Sequence, residues 1–105
     1  MDINHVSLSG RIFNIGVNET RGEYPVVEAK LLVNIGTNDE GTMYDEFYIR
    51  SYGKKSLILA KLEENTFVTI TGRLKEDIRV NSFNPGTKRS KTYINIDNIK
   101  TFENK

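Results

Sequence analysis

The sequence predicts an all-β protein: a five-stranded Greek-key barrel with one short helix between the third and fourth strands. Apolar and polar residues alternate with period two along five segments, which is typical of strands with one buried face. One segment, residues 54–64, changes to the spacing of an amphipathic helix. The 105 residues suit a single domain, which we expect to span residues 1–105.

The first half of the chain supplies three of the strands. The first is predicted over residues 3–13, with alternate apolar side chains on one face. Residues 14–24 contain two glycines and many polar side chains, so we expect a loop there. The second strand is predicted over residues 26–35, and the turn-rich residues 36–41 connect it to the third.

The second half supplies the helix and two more strands. The third strand is predicted over residues 43–52, and the helix follows it. The fourth strand is predicted over residues 67–76 and the fifth over residues 91–102. Between them lies a long polar excursion, residues 77–90, whose Asn-Pro-Gly-Thr turn favours an extended hairpin.

Three strands, a helix and two more strands form the layout of the OB-fold, a small Greek-key barrel. Closing the barrel also removes the unpaired edges that an open five-stranded sheet would expose. The same order fits other small five-stranded barrels, so the pattern by itself predicts a barrel with one helix.

The composition argues against catalysis and metal binding. The chain has no cysteine and one histidine, His5, so thiolate chemistry and paired-histidine zinc sites are excluded. No phosphate-binding glycine loop and no nucleophile elbow occur. The carboxylate pairs lie in polar turns or on the helix, where solvation explains them. We therefore expect no enzyme activity, no cofactor and no metal.

Charge and hydropathy indicate how such a protein would meet a partner. No apolar run approaches the ~20 residues of a membrane-spanning helix, and no secretory signal is visible, so we expect a cytoplasmic protein. The formal net charge is +1. A nucleic-acid binder with this charge must gather its cations on one face and keep its acids elsewhere.

The third strand carries the aromatic residues of greatest interest. Phe47 and Ile49 face the core, so Tyr48, Arg50 and Tyr52 are expected to point outward. Exposed tyrosines beside an arginine make a stacking surface for nucleobases, because every base offers a π-face. The alternative explanations are a subunit interface or cross-strand aromatic pairing.

Basic residues follow on the next elements. Arg73 and Lys75 share the outer face of the fourth strand and, if that strand pairs with the third, lie beside the tyrosines. The polar excursion carries a further set of candidates, which are Arg79, Phe83, Lys88, Arg89 and Lys91. Such a basic arm suits a phosphate backbone. A solvated charged hairpin is the alternative.

Three segments at matching spacing resemble bacterial single-stranded DNA-binding proteins. Residues 4–12 resemble the Asn-x-Val-x-Leu-x-Gly-x-Leu pattern of their first strand. Residues 52–55 are similar to their aromatic-Gly-Lys end of strand three, and residues 62–74 to their Val-x-Val-x-Gly-x-Leu block. The resemblance spans Asn4 to Phe102 and implies the OB-fold.

The resemblance also implies DNA contacts. The aromatic before the Gly-Lys pair, here Tyr52, stacks on a base, and Lys54 follows it. Lys75 and Arg79 match basic positions, although Arg79 replaces a tryptophan for which Phe83 would compensate. A second family tryptophan has no counterpart in residues 36–39, and the acidic tail of typical members has none after Lys105. We therefore expect a phage, plasmid or mobile-element version, an accessory paralogue, an adaptor or a trimmed form.

We expect the chain to bind single-stranded DNA with little sequence preference, protecting or organising it in replication, recombination or repair. The resemblance implies a homo-oligomer, a dimer or tetramer, built on the small, uncharged outer face of strand one: His5, Ser7 and Ser9. Replication proteins are further expected partners. The alternatives are a replication-restart, plasmid or phage replication adaptor acting through protein partners, and an RNA- or tRNA-binding domain.

Overall fold

Each strand has one apolar face that must leave water, and the strands bury these faces together in a closed barrel. The computed structural model describes residues 2–80 and 88–102. The strands are β1 (Val6–Arg21), β2 (Tyr24–Asn38), β3 (Gly41–Ser51), β4 (Thr66–Val80) and β5 (Lys88–Thr101). A 3₁₀ turn (Gly53–Lys55) and the helix α1 (Ser56–Ala60) lie between β3 and β4.

The strand order around the barrel is β1-β2-β3-β5-β4, and β4 pairs back onto β1. Neighbouring strands are antiparallel except β3 and β5, which run parallel and are paired at Ile49–Ile94 and Arg50–Asn95. This is the OB-fold arrangement, so the predicted fold class is confirmed. The expected adjacency of strands three and four is wrong, because β5 lies between them.

Every strand contributes at least one large side chain to the core. α1 adds Leu59, which is completely buried against the barrel. The apolar strand residues at most 1% exposed are Ile12, Val27, Leu31, Ile49, Val68, Ile70 and Ile94. These are positions that the period-two pattern assigned to the inner face. Burial of this apolar surface is the main favourable contribution to folding.

The expected loop at residues 14–24 is instead the second half of β1 and the start of β2. The strand pattern is hidden there because the pairing shifts register twice, between Phe13 and Gly16 and between Val17 and Glu19. Such bulges place two residues of one strand opposite one of its partner and so break the alternation. The turn to β2 then needs only Gly22, at φ 62°.

Glu64 holds the first of these bulges in place. Its two carboxylate oxygens accept hydrogen bonds from the backbone N–H groups of Asn14, at 2.9 Å, and Ile15, at 3.1 Å. Asn14 lies at φ 56°, in the left-handed region that asparagine tolerates better than most residues. Solvation was therefore the wrong explanation for Glu64. The helical segment is also shorter than the expected 54–64, which frees this residue to reach β1.

Two glycines allow strands to cross closely. A Cβ atom on Gly10 would collide with the carbonyl oxygen of Leu32 in β2, and one on Gly72 with the carbonyl oxygen of Asn95 in β5. Both glycines are buried, and Gly72 adjoins a bulge in the β4–β5 pairing. The barrel therefore closes at these two points only because no side chain is present.

Candidate nucleic-acid interface

The outer face of β3 carries the predicted aromatic row. Alternation holds around Ile49, which is 1% exposed in the core, while Tyr48 beside it is 41% exposed. Tyr44, nearer the start of the strand, is exposed as well. The prediction that Tyr48 points outward is confirmed.

Lys30 of β2 covers part of this face. The sequence pattern did not identify it as a candidate site residue. It is the cross-strand partner of Tyr48, and its Nζ lies 5.6 Å from the centroid of the tyrosine ring. The same Nζ lies 3.0 Å from Oε1 of Glu46. The hydrogen bond and charge of Glu46 raise the pKa of Lys30. Lys30 therefore carries a fixed positive charge beside an exposed aromatic ring.

Arg50 lies on the outer side of β3, but its expected exposure is wrong. It is only 8% exposed, because side chains from the flanking strands cover it. Its Nε donates a 2.7 Å hydrogen bond to Oε1 of Glu28 on β2, and its Nη2 forms an ion pair with the same oxygen. Its guanidinium carbon lies 4.2 Å from the ring centroid of Tyr93 on β5.

Burial alone would lower the pKa of Arg50. Hydrogen bonds to Tyr52 and Glu28, and the charge of Glu28, outweigh burial and raise its pKa above an already high value. The guanidinium therefore stays charged throughout the physiological pH range. It is held as part of a cluster rather than as an extended side chain.

Tyr52 and Tyr93 meet through their hydroxyl groups over this arginine. The two phenolic oxygens lie 3.4 Å apart, and Nη1 of Arg50 donates a 3.0 Å hydrogen bond to the hydroxyl of Tyr52. Both rings are half-buried. Tyr93 was missed from sequence, because the residues beside it carry no motif and its strand was not expected to adjoin β3.

Arg73 and Lys75 lie two strands away from β3, on the far side of β5. Arg73 is paired with Asn95, the residue that is also paired with Arg50, and Lys75 is paired with Tyr93. Both side chains are exposed. With strands ~4.8 Å apart, these cations lie ~10 Å from β3 on one continuous outer face.

Arg73 is engaged by an acid from the same face. Its Nε lies 3.4 Å from Oδ2 of Asp97 on β5. Lys75 has no ion pair with any described residue. Lys54 is exposed in the 3₁₀ turn directly after Tyr52, where Gly53 at φ 67° turns the chain. Acids and cations are therefore interleaved on this face, and the expected separation of the charges is incomplete.

The remaining candidates lie on the β4–β5 hairpin. Its two arms are antiparallel as expected, with Arg79 opposite Arg89 and Val80 opposite Lys88, and Lys91 lies further along β5. These are backbone positions, and their side chains lie outside the described part of the chain. Phe83 lies outside the described residues altogether.

Among the residues that the structure describes, no cluster of three or more histidine, aspartate or glutamate side chains is arranged to hold a metal ion. Within the same residues, no helix has the length and apolar character needed to cross a membrane.

No protein-family model matches this sequence, and no curated protein matches it at a significant level. Solved structures do match. The small single-stranded DNA-binding protein of Streptomyces coelicolor superposes with a TM-score of 0.68 at 18% identity, over 97% of this chain and 96% of that one. A single-stranded DNA-binding protein of Plasmodium falciparum, solved as a complex with single-stranded DNA, gives 0.79 at 16% identity, over 98% and 97%. The resemblance indicated by the sequence motifs is thus confirmed at the level of the fold.

Proposed function

We propose that this chain binds single-stranded DNA with little sequence preference on the outer face formed by β3, β5 and β4. The observation that carries the proposal is the aromatic group at the centre of this face, in which Tyr52 and Tyr93 contact the charged Arg50 and Tyr48 lies two residues before Arg50 on the outer side of β3. Aromatic rings stack on any base, at roughly 1–3 kcal/mol per base, so such a surface binds without reading sequence.

The flanking cations supply the second half of the mechanism. Lys54 and Lys75 are exposed, and Arg73 can exchange its weak contact with Asp97 for a phosphate. Arg79, Lys88, Arg89 and Lys91 would extend this line along the hairpin, with Phe83 as a further stacking residue. Arg50 acts differently from these cations, because it holds Tyr52 and Tyr93 in position and adds a permanent charge below the DNA.

The proposed biological role is to protect or organise single-stranded DNA during replication, recombination or repair in the cytoplasm. In this proposal the chain forms a single domain over residues 1–105 and assembles into a homo-oligomer. The outer face of β1 suits such an interface, because Ser7 and Ser9 on this strand and His5 just before it are exposed. The two structural relatives, both single-stranded DNA-binding proteins by name, support the DNA-binding part of this proposal.

Fluorescence anisotropy with labelled oligo-dT of increasing length, titrated over a range of salt concentrations, tests the proposal. We expect affinity to grow with oligonucleotide length and to fall steeply with salt. The slope of log affinity against log salt concentration should steepen by ~0.7 for each phosphate contacted. Micromolar binding that is independent of length would instead favour an adaptor that acts through protein partners. Stronger binding to a matched RNA oligomer would favour an RNA-binding protein, because a site built for the 2′-hydroxyl prefers RNA.

A further inference from the structure

A cleft opens beside the seam where β3 meets β5. The two strands are paired at Ile49–Ile94 and Arg50–Asn95, and next to these pairs the barrel wall leaves a space of about 280 Å³. Tyr48 from β3 and Tyr93 from β5 line this space on opposite strands. The cleft therefore lies within the aromatic group already described, but between the strands rather than on top of them.

The lining of the cleft is mostly apolar. Phe47 is half-buried and Ile94 fully buried, and both also contribute to the barrel core. Leu74 of β4 completes the apolar part and is 47% exposed, as a residue at the edge of an open space must be. Polar side chains, Glu46 and Thr92, line the space as well. The cleft suits a ligand with flat apolar faces and a polar edge.

Its size selects among such ligands. A cavity of roughly 150 Å³ accommodates one benzene ring, whereas pockets for drug-sized molecules begin at roughly 300 Å³. A space of about 280 Å³ lies between these limits. One heteroaromatic ring system therefore fits within this volume.

Cations lie on both sides of the cleft. Nζ of Lys30 lies over the ring of Tyr48, on the side of β2. Lys75 is the cross-strand partner of Tyr93, on the side of β4. A ligand that carries negative charge on either side of a planar ring complements this arrangement. A nucleotide within a strand is such a ligand, because a phosphate precedes and follows each base.

We propose that this cleft receives one nucleobase of a bound DNA strand, turned in between Tyr48 and Tyr93, with its neighbouring phosphates at Lys30 and Lys75. This inference rests on the proposed function and adds a discrete base site to a stacking surface. The base meets Leu74 and Phe47 with its faces, and its exocyclic groups remain near Glu46 and Thr92, which hydrogen-bond to base edges.

Thiol footprinting tests the cleft directly, because the chain contains no cysteine. Leu74→Cys places a single thiol in the cleft. Ile58→Cys is a matched control, since Ile58 is 49% exposed against 47% for Leu74 and lies on α1, which packs on β1 and β2. Each variant is labelled with a maleimide in the presence and absence of oligo-dT, while anisotropy reports binding in the same samples.

We expect saturating oligo-dT to slow labelling of the Leu74→Cys variant about tenfold or more and to leave the Ile58→Cys variant unchanged. Prior labelling should weaken oligo-dT binding of the first variant about tenfold and not that of the second, as loss of one stacked base predicts. Thr92→Cys, also exposed in the cleft, replaces Leu74→Cys if the latter does not fold.

Full-rate labelling at Leu74 or Thr92 with oligo-dT bound would overturn the base site and leave the proposed function standing. Absence of oligonucleotide binding by the unaltered chain would overturn both. Protection of the cleft thiol without protection of the α1 thiol supports both together.

Discussion

Arg50 of β3 lies over the ring of Tyr93 of β5, with 4.2 Å between the guanidinium carbon and the ring centroid. The two residues belong to the parallel strands whose pairing closes the barrel. The same contact therefore joins the barrel seam and fixes the position of an aromatic ring on the proposed DNA face. Changes at this contact are expected to affect both stability and binding, and separating the two effects requires paired variants.

Replacing Tyr52 tests base stacking. We expect Tyr52→Ala to weaken oligo-dT binding by roughly 1–3 kcal/mol without unfolding the barrel, because one stacking ring is lost. Tyr52→Phe keeps the ring but loses the hydroxyl that accepts the hydrogen bond from Arg50, so its binding should weaken less than that of the alanine variant. Anisotropy titrations measure both. Normal binding by the alanine variant would show that Tyr52 does not stack on DNA.

Neutralising Glu28 tests the support of Arg50. We expect Glu28→Gln to lower the free energy of unfolding by about 1–3 kcal/mol, because a buried guanidinium loses its charged hydrogen-bond partner. The control is Glu46→Gln, which disrupts the exposed pair with Lys30 and should cost much less. Urea denaturation measures the difference. Equal effects of the two changes would mean that the Glu28–Arg50 pair contributes no more to stability than an exposed ion pair.

Salt dependence tests the cations of β4. Lys75→Ala should reduce the logarithmic salt slope of oligo-dT binding by ~0.7, the value for one phosphate contact on a single strand. Lys61→Ala, at the end of α1, is the matched control and should leave the slope unchanged. If both lysines change the slope alike, the binding face is not confined to β3, β5 and β4.

Asp97 contacts Arg73 and, on the proposed DNA face, would compete with a phosphate for it. Asp97→Asn removes this competition and also removes a negative charge from the proposed face. We therefore expect tighter oligo-dT binding, most clearly at low salt, where surface charges are least screened. Titrations at low and high salt measure the change. A loss of affinity would indicate that Arg73 must be oriented by Asp97 in order to bind.

A methyl group at Gly72 tests the close approach of β4 to β5. We expect Gly72→Ala to destabilise the barrel by at least about 1–3 kcal/mol, because its Cβ meets the backbone of Asn95 rather than a movable side chain. Gly16→Ala meets no atom within 4 Å and should be nearly neutral. Thermal unfolding compares the two. A Gly72→Ala variant of unchanged stability would mean that the backbone at the neighbouring bulge can shift at little energetic cost.

Local patterns predicted the strands and the inner face well, because burial of alternate side chains is a property of each segment by itself. They did not predict the second half of β1, where bulges near Phe13 and Val17 interrupt the alternation. Nor did they predict that β5 separates β3 from β4, since the pairing of Ile49 with Ile94 joins residues far apart in the chain. Pairings between distant segments do not alter the apolar and polar pattern of either segment.

In the candidate site, too, local features could be predicted from sequence and contacts between strands could not. The outward direction of Tyr48 follows from its neighbour Ile49, and the structure bears it out. The burial of Arg50 depends on Glu28 and Tyr93, which come from two other strands. Side chains that are close only after the barrel has closed could not be connected from the sequence, and Tyr93 was overlooked for that reason.

The parallel seam between β3 and β5 also has a consequence for how the chain folds. The β1–β2, β2–β3 and β4–β5 pairs join neighbouring segments, so each can form with a short loop. The β3–β5 pairs and those of β1 with β4 bring together residues far apart in the chain, so their loop-closure entropy is larger and we expect them to form after the hairpins. The contacts of Arg50 and Tyr52 with Tyr93 depend on the β3–β5 pairing, so we expect a chain that has formed its hairpins but has not closed to lack the proposed binding surface.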